Sequence, residues 1–157
     1  MQAKTAEYRV IIATGGTGGH IFPALAVADE LVSIGVKPIF LCDKRGEKFI
    51  TRDYKIDTMI LPIKNFHSIN ILQVIKNIYL LLLSIFKSIY ILLKVRPCVV
   101  LGFGGIASLP SLLVAAYLRT PTVIHEQNAI VGRANKFLSK YAKFLLLSFD
   151  QTSDIPE

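Results

Sequence analysis

Two glycine-rich turns carry the residues whose types and spacing point to chemistry. The first, Thr14-Gly15-Gly16-Thr17-Gly18-Gly19-His20, follows the apolar run Arg9–Ala13. The second, Gly102-Phe103-Gly104-Gly105-Ile106-Ala107-Ser108, follows Cys98–Leu101. Each leads into a segment that reads as a helix. A strand, a glycine turn and a helix start aim backbone N–H groups at one place and favour an anion there. Glycine lets the backbone come close to phosphate and adopt positive φ without steric cost. Two such turns in one domain point to a cradle for a pyrophosphate, or for two faces of one ligand.

His20 ends the first turn at the positive end of the following helix. That position disfavours imidazolium, so a neutral ring able to accept a proton is expected, as in a general base. His125-Glu126-Gln127-Asn128 follows a later strand-like run and offers four polar side chains for a sugar or peptide. The same run also reads as a capped loop, with Glu126 or Asn128 satisfying backbone groups. Other chemistries fit less well. A dinucleotide fingerprint counted from Gly16 requires glycine where Ile21 stands, and Asp43 lies 27 positions beyond Gly16 rather than about 20. No Gly-Lys-Ser/Thr follows, as a P-loop requires. The three histidines lack zinc-motif spacing, so neither a metal nor a cofactor is expected.

The elements that must hold these turns read as alternating strands and helices. Strands are expected near Tyr8–Ala13, Lys37–Cys42, Asp57–Pro62, Cys98–Gly102, Thr122–His125 and Lys143–Phe149. Helices are expected near Ile21–Ile34, Glu47–Asp53, Ile69–Val95, Ser108–Leu118 and Val131–Lys140. Near-continuous apolar runs suit parallel strands covered on both faces, giving an α/β, doubly wound, Rossmann-like sheet. With 157 residues, 52% of them hydrophobic, the chain suits one domain over residues 1–149. Asp150–Glu157 reads as a linker start or a frayed tail. Cys42 and Cys98 read as reduced core residues, and polar Met1–Glu7 does not read as a secretory leader. The net charge of +7 favours anionic partners. Nucleic acid is not expected among them, because the basic residues are dispersed without interleaved aromatics.

The segment Ile69–Val95 is the most apolar. At about 100° per residue, Lys76, Lys87 and Lys94 fall on one line. Gln73, Asn77 and Ser84 lie within roughly the next quarter-turn, and Leu80 and Leu83 lie close to the lysine line. A narrow basic stripe beside exposed leucines suits a helix on an anionic bilayer surface. A mostly buried helix with a thin solvated face fits the pattern as well.

Together the motifs resemble those of the MurG glycosyltransferases. Thr14–His20 continuing into Ile21-Phe22-Pro23-Ala24-Leu25-Ala26-Val27-Ala28 is similar to that family's first signature. Leu101–Gly105, then His125–Asn128 followed by Gly132 and Asn135-Lys136, are similar to the next two. The resemblance implies the N-terminal, acceptor-binding half of a two-domain GT-B enzyme at the cytoplasmic face of the bacterial inner membrane. That family transfers N-acetylglucosamine from UDP-GlcNAc to lipid I, an undecaprenyl-pyrophosphoryl muramoyl peptide, giving lipid II. It implies that Gly15, Gly16, Thr17, Gly18, Gly19, Gly104 and Gly105 hold the acceptor pyrophosphate. His20 would be the base, and Glu126 and Asn128 would contact the acceptor sugar or close the site. It also implies a membrane patch, here Lys76, Leu80, Leu83, Lys87 and Lys94. One departure is Ile106, where the family usually has tyrosine. The other is length: a C-terminal donor domain is not expected within 157 residues, so UDP-GlcNAc binding and turnover by this chain alone are not expected. Two alternatives stay open: a non-catalytic lipid-pyrophosphate module partnering a separate donor chain, and a nucleotide-binding Rossmann domain.

Overall fold

The computed structural model describes residues 8–50, 56–64 and 70–156. Its six strands are β1 (Arg9–Ala13), β2 (Lys37–Asp43), β3 (Asp57–Leu61), β4 (Val99–Gly102), β5 (Thr122–Glu126) and β6 (Phe144–Leu147). All pair in parallel, in the order β3-β2-β1-β4-β5-β6. Four α-helices connect them: α1 (Gly18–Ser33), α2 (Ile71–Val95), α3 (Ser108–Tyr117) and α4 (Arg133–Leu138). Val10–Ala13 and every β2 residue after Lys37 are buried, as continuous apolar strands between two helical layers must be. One core, including Ile11, Leu41 and Val100, lies under α2 and α3. The other, including Ile12, Phe40 and Phe103, lies under α1.

This order sets the site. From β1 the chain winds outward to β2 and β3, then returns through α2 to β4 on the other side of β1. The gap beyond the carboxyl ends of β1 and β4 is therefore the topological switch point, where open α/β sheets bind ligands. Both glycine turns begin there.

Several expected boundaries differ. Helix α1 begins at Gly18 rather than Ile21, which places His20 in its first turn. Between Glu47 and Asp53 the described residues form only a 3-10 turn, Gly46–Lys48, closed by the Phe49 N–H on the Gly46 carbonyl; residues 51–55 lie outside the described residues. Gly46 is wedged between Cys42 and Ile21, and a side chain there would meet Cys42 Cβ at 2.9 Å. The expected helix over Val131–Lys140 is shorter, with a 3-10 turn at Ser139–Tyr141. Cys42 is buried and its thiol is pushed up to about 12, first by burial and then by Asp43 and Glu47. Cys98, expected in the core, is exposed at the start of β4, its Sγ 3.3 Å from the Arg9 carbonyl. Residues 150–156 lie along the α4 side of the sheet, where Ser153 pairs with Ile130 and Thr152 is buried.

Helix α2 carries its polarity on an unexpected face. Asn77, Ser84 and Ser88 are buried. Asn77 and Ser84, expected beside the lysine stripe, face inward because small polar groups let α2 approach α3. The Ser84 hydroxyl returns to the Leu80 carbonyl, and Ser88 meets Ser111 at 3.3 Å. The opposite face holds Ile75, Tyr79, Leu82, Phe86, Tyr90 and Leu93, each at least 50% exposed. Lys76, Lys87 and Lys94 run along one margin of that face. Leu83 is exposed beside them and Leu80 is half-buried. Lys87 Nζ donates to the Ile60 carbonyl at 2.6 Å, and Lys94 lies over the Tyr90 ring.

Candidate acceptor site at the sheet switch point

The two glycine turns meet backbone to backbone. The Gly15 N–H donates to the Gly104 carbonyl at 2.8 Å, and the Phe103 N–H donates to the Ala13 carbonyl at 2.9 Å. Gly104 and Gly105 both have positive φ, 83° and 75°. A side chain on Gly105 would come within 2.7 Å of Gly15 Cα. Gly16 is equally constrained, because the Asp43 carboxylate occupies the space its side chain would need. Thr17 is the extended residue before α1, with no side-chain cap to the helix. The helix's first N–H groups at Gly18 and Gly19 are therefore presented beside the turn. Pro23 removes the N–H that would bond the Gly19 carbonyl, so this first turn is loosely tied.

His20 hangs over Gly104, its Cδ2 3.1 Å from where a Gly104 side chain would start. Its Nδ1 lies 2.5 Å from Thr17 Oγ1, which leaves Nε2 as the untethered nitrogen. Burial holds the imidazole below its ordinary pKa; Glu126 raises it and Arg45 lowers it to lesser degrees. The first cause of that lowering is burial, whereas the sequence pointed to the helix end.

Glu126, at the end of β5, is fully buried. Each carboxylate oxygen accepts two hydrogen bonds: Oε1 from the Asn128 N–H and Nδ2, Oε2 from the Gly132 N–H and Asn135 Nδ2. Burial raises its pKa, but those donors outweigh it and hold the carboxyl below its ordinary value. The loop from Gln127 to Gly132 and the start of α4 are thus folded around one carboxylate. Asn128 itself is exposed. His125 stacks near Phe103, with ring centroids 5.1 Å apart, and its Nε2 meets the Ser148 hydroxyl at 3.2 Å. Burial lowers its pKa as well.

Two residues without an assigned role belong to this arrangement. Asn135 is 2% exposed, and its Oδ1 has no hydrogen-bond partner although it lies against Gly104. Asn135 stood in the sequence only as part of the third motif, with no role attached. Asp43 ion-pairs with Arg45 at 2.6 Å and accepts the Arg45 and Gly46 N–H groups. A carboxylate so engaged is not free to grip a ribose, which weighs against the dinucleotide alternative. Ile106, in place of the expected tyrosine, is half-buried against the core under α3.

A parallel sheet of this order, with two glycine turns meeting backbone to backbone at its switch point, defines the class as a Rossmann-like α/β domain. The family described as Glycosyltransferase family 28 N-terminal domain matches residues 10–146, and the chain belongs to it. Among curated relatives, the UDP-N-acetylglucosamine--N-acetylmuramyl-(pentapeptide) pyrophosphoryl-undecaprenol N-acetylglucosamine transferase of Rickettsia typhi is 38% identical over 149 residues, covering 95% of this chain and 37% of the relative. The Rickettsia canadensis protein of the same name is 38% identical, covering 95% and 41%. Among solved structures, Acinetobacter baumannii MurG superposes with a TM-score of 0.80 at 32% identity, over 94% of this chain and 43% of that one. UDP-GlcNAc 2-epimerase from Methanocaldococcus jannaschii, at 13% identity and a TM-score of 0.67, shares the fold. The chain therefore spans about two-fifths of the length of the relatives it matches.

Proposed function

We propose that this chain is the acceptor-binding half of an N-acetylglucosaminyltransferase acting on a lipid-linked pyrophosphate of the lipid I type. The carrying observation is the backbone contact between the two glycine turns, beside the open first turn of α1 and under a neutral His20. In this reading the turns and Thr17 hold the pyrophosphate, and His20 Nε2 takes the proton from the attacking acceptor hydroxyl. Glu126 enters as a brace rather than as a group on the acceptor sugar, because both its oxygens are spent on the loop. Asn128, exposed at that loop, remains the candidate sugar contact. The donor, UDP-GlcNAc, is assigned to the portion of the relatives that this chain does not span.

A titration of the purified chain with a short-chain lipid I analogue, with UDP-GlcNAc and NAD in parallel, tests this reading. Saturable binding of the lipid analogue alone is expected. An isotherm for NAD and none for the lipid analogue would assign the turns to a different ligand.

In the same proposal α2 docks on the membrane surface. By length and composition it is apolar enough to cross a bilayer. Its Ile91, Leu92 and Val95, however, belong to the core under the sheet, so it lies along the surface instead of leaving the fold. Each lysine near an anionic surface contributes about 1 kcal/mol. Replacing Lys76 and Lys94 with glutamine is therefore expected to weaken binding to phosphatidylglycerol vesicles roughly 30-fold. Equal co-sedimentation of the variant and the parent would remove the lysines from docking.

A further inference from the structure

A cavity of about 620 Å³ opens between the carboxyl ends of β2 and β3 and the first half of α2. That volume falls among small-molecule sites of about 300–1,000 Å³. Its walls include Ile60, Pro62 and Leu80, and its rim carries Lys44, Lys64 and Lys76. None of these lysines makes an ion pair among the described residues. An apolar pocket with a cationic rim is complementary to an anionic amphiphile, not to a neutral metabolite.

Position decides which amphiphile. At one end the cavity is walled by Asp43 and Arg45, and Asp43 also fills the space above Gly16. Cavity and glycine cradle are thus neighbours, separated by an ion pair in which Arg45 offsets the carboxylate that lines the cavity. At the other end Leu80 and Lys76 adjoin the exposed apolar face of α2 at Tyr79 and Leu83. The cavity therefore bridges the cradle and the face proposed to meet the bilayer.

We propose that this cavity takes the pyrophosphate-proximal prenyl units of the acceptor. The inference rests on the lipid-pyrophosphate reading above and deepens it by giving the hydrocarbon a seat on the protein. The lysine rim faces the charged head as it passes toward the glycine turns. The remaining chain continues over α2 into the membrane. The acceptor is then recognised by its lipid as well as by its sugar.

The test compares inorganic pyrophosphate with geranyl pyrophosphate, below its aggregation limit, on the full chain without membranes. Each buried methylene adds about fourfold in affinity, so seating three or four carbons gives a preference on the order of 100-fold for the prenyl ligand. Leu80→Gln keeps a good helix former at a half-buried position and is expected to cost roughly tenfold for geranyl pyrophosphate and nothing for pyrophosphate. Phe86→Gln, on the exposed α2 face away from the cavity, is expected to change neither. Pyrophosphate binding with no prenyl gain, or an equal loss in Phe86→Gln and Leu80→Gln, overturns the cavity and leaves the cradle standing. Failure of both ligands to bind overturns the cradle, and the cavity with it.

Discussion

Replacing Gly105 with alanine is expected to cost about 2–5 kcal/mol of folding free energy and to abolish pyrophosphate binding. At φ 75° an L-residue carries a penalty of about 1–2 kcal/mol. The new methyl would also meet Gly15 Cα at 2.7 Å, and crowding of that kind adds about 1–3 kcal/mol. Relief comes only by separating the turns, which breaks the Gly15 N–H bond to the Gly104 carbonyl. For a domain of this size the loss corresponds to a fall of roughly 10 °C in Tm. Gly19→Ala is the matched control. Nothing lies within 4 Å of its would-be side chain, and it sits in α1, where alanine is favoured by up to about 1 kcal/mol. Thermal unfolding of the two variants separates a required backbone contact from a general preference for glycine. Parental stability and binding in Gly105→Ala would show that the turns do not need to touch.

The strands were legible because a parallel strand covered on both faces must be apolar at nearly every position. The glycine turns were legible because few residues other than glycine tolerate such close backbone approach, and the structure places both at the switch point. The orientation of α2 was not legible. Hydrophobic periodicity assumes that the core side is apolar, whereas Asn77, Ser84 and Ser88 face inward beside Ile91, Leu92 and Val95, and Ile75, Tyr79, Leu82, Phe86, Tyr90 and Leu93 face out. Glu126 was legible both as a sugar contact and as a loop cap, but its full burial was not. Glutamate is rarely buried, and its partners at Asn128, Gly132 and Asn135 converge only once β5 and α4 are placed. The cavity by α2 was not legible, since Lys76 and Leu80 read only as part of the helix stripe and Lys44, Ile60 and Lys64 join them only once β2, β3 and α2 are placed.

His20→Ala, assayed after this chain is combined with a donor-binding half, is expected to lower kcat by about 10²–10⁴-fold, the usual contribution of a positioned general base. The dissociation constant of a lipid I analogue is expected to stay within about threefold, because the backbone supplies most of the anion cradle. Equal losses in both would make His20 a binding residue. The pH profile gives a second reading. Burial holds His20 below the ordinary imidazole value, so the base stays unprotonated and the acid limb of kcat falls below pH 6.5. The same depression acts on stability. Below pH 6.5 the unfolded chain binds protons that the folded chain refuses at His20 and His125. Stability is therefore complete above pH 6.5 and declines as pH falls toward the lowered values. His20→Gln removes part of that decline while lowering turnover as His20→Ala does. Thr17→Val tests the tautomer. Without the hydroxyl, Nδ1 loses its partner and Nε2 is no longer reserved as the free nitrogen, so kcat is expected to fall, and any accompanying loss in Kd measures the contact of Thr17 itself with the pyrophosphate. A Thr17→Val protein with parental kcat would show that the ring is oriented by Gly104 and Asn135 alone.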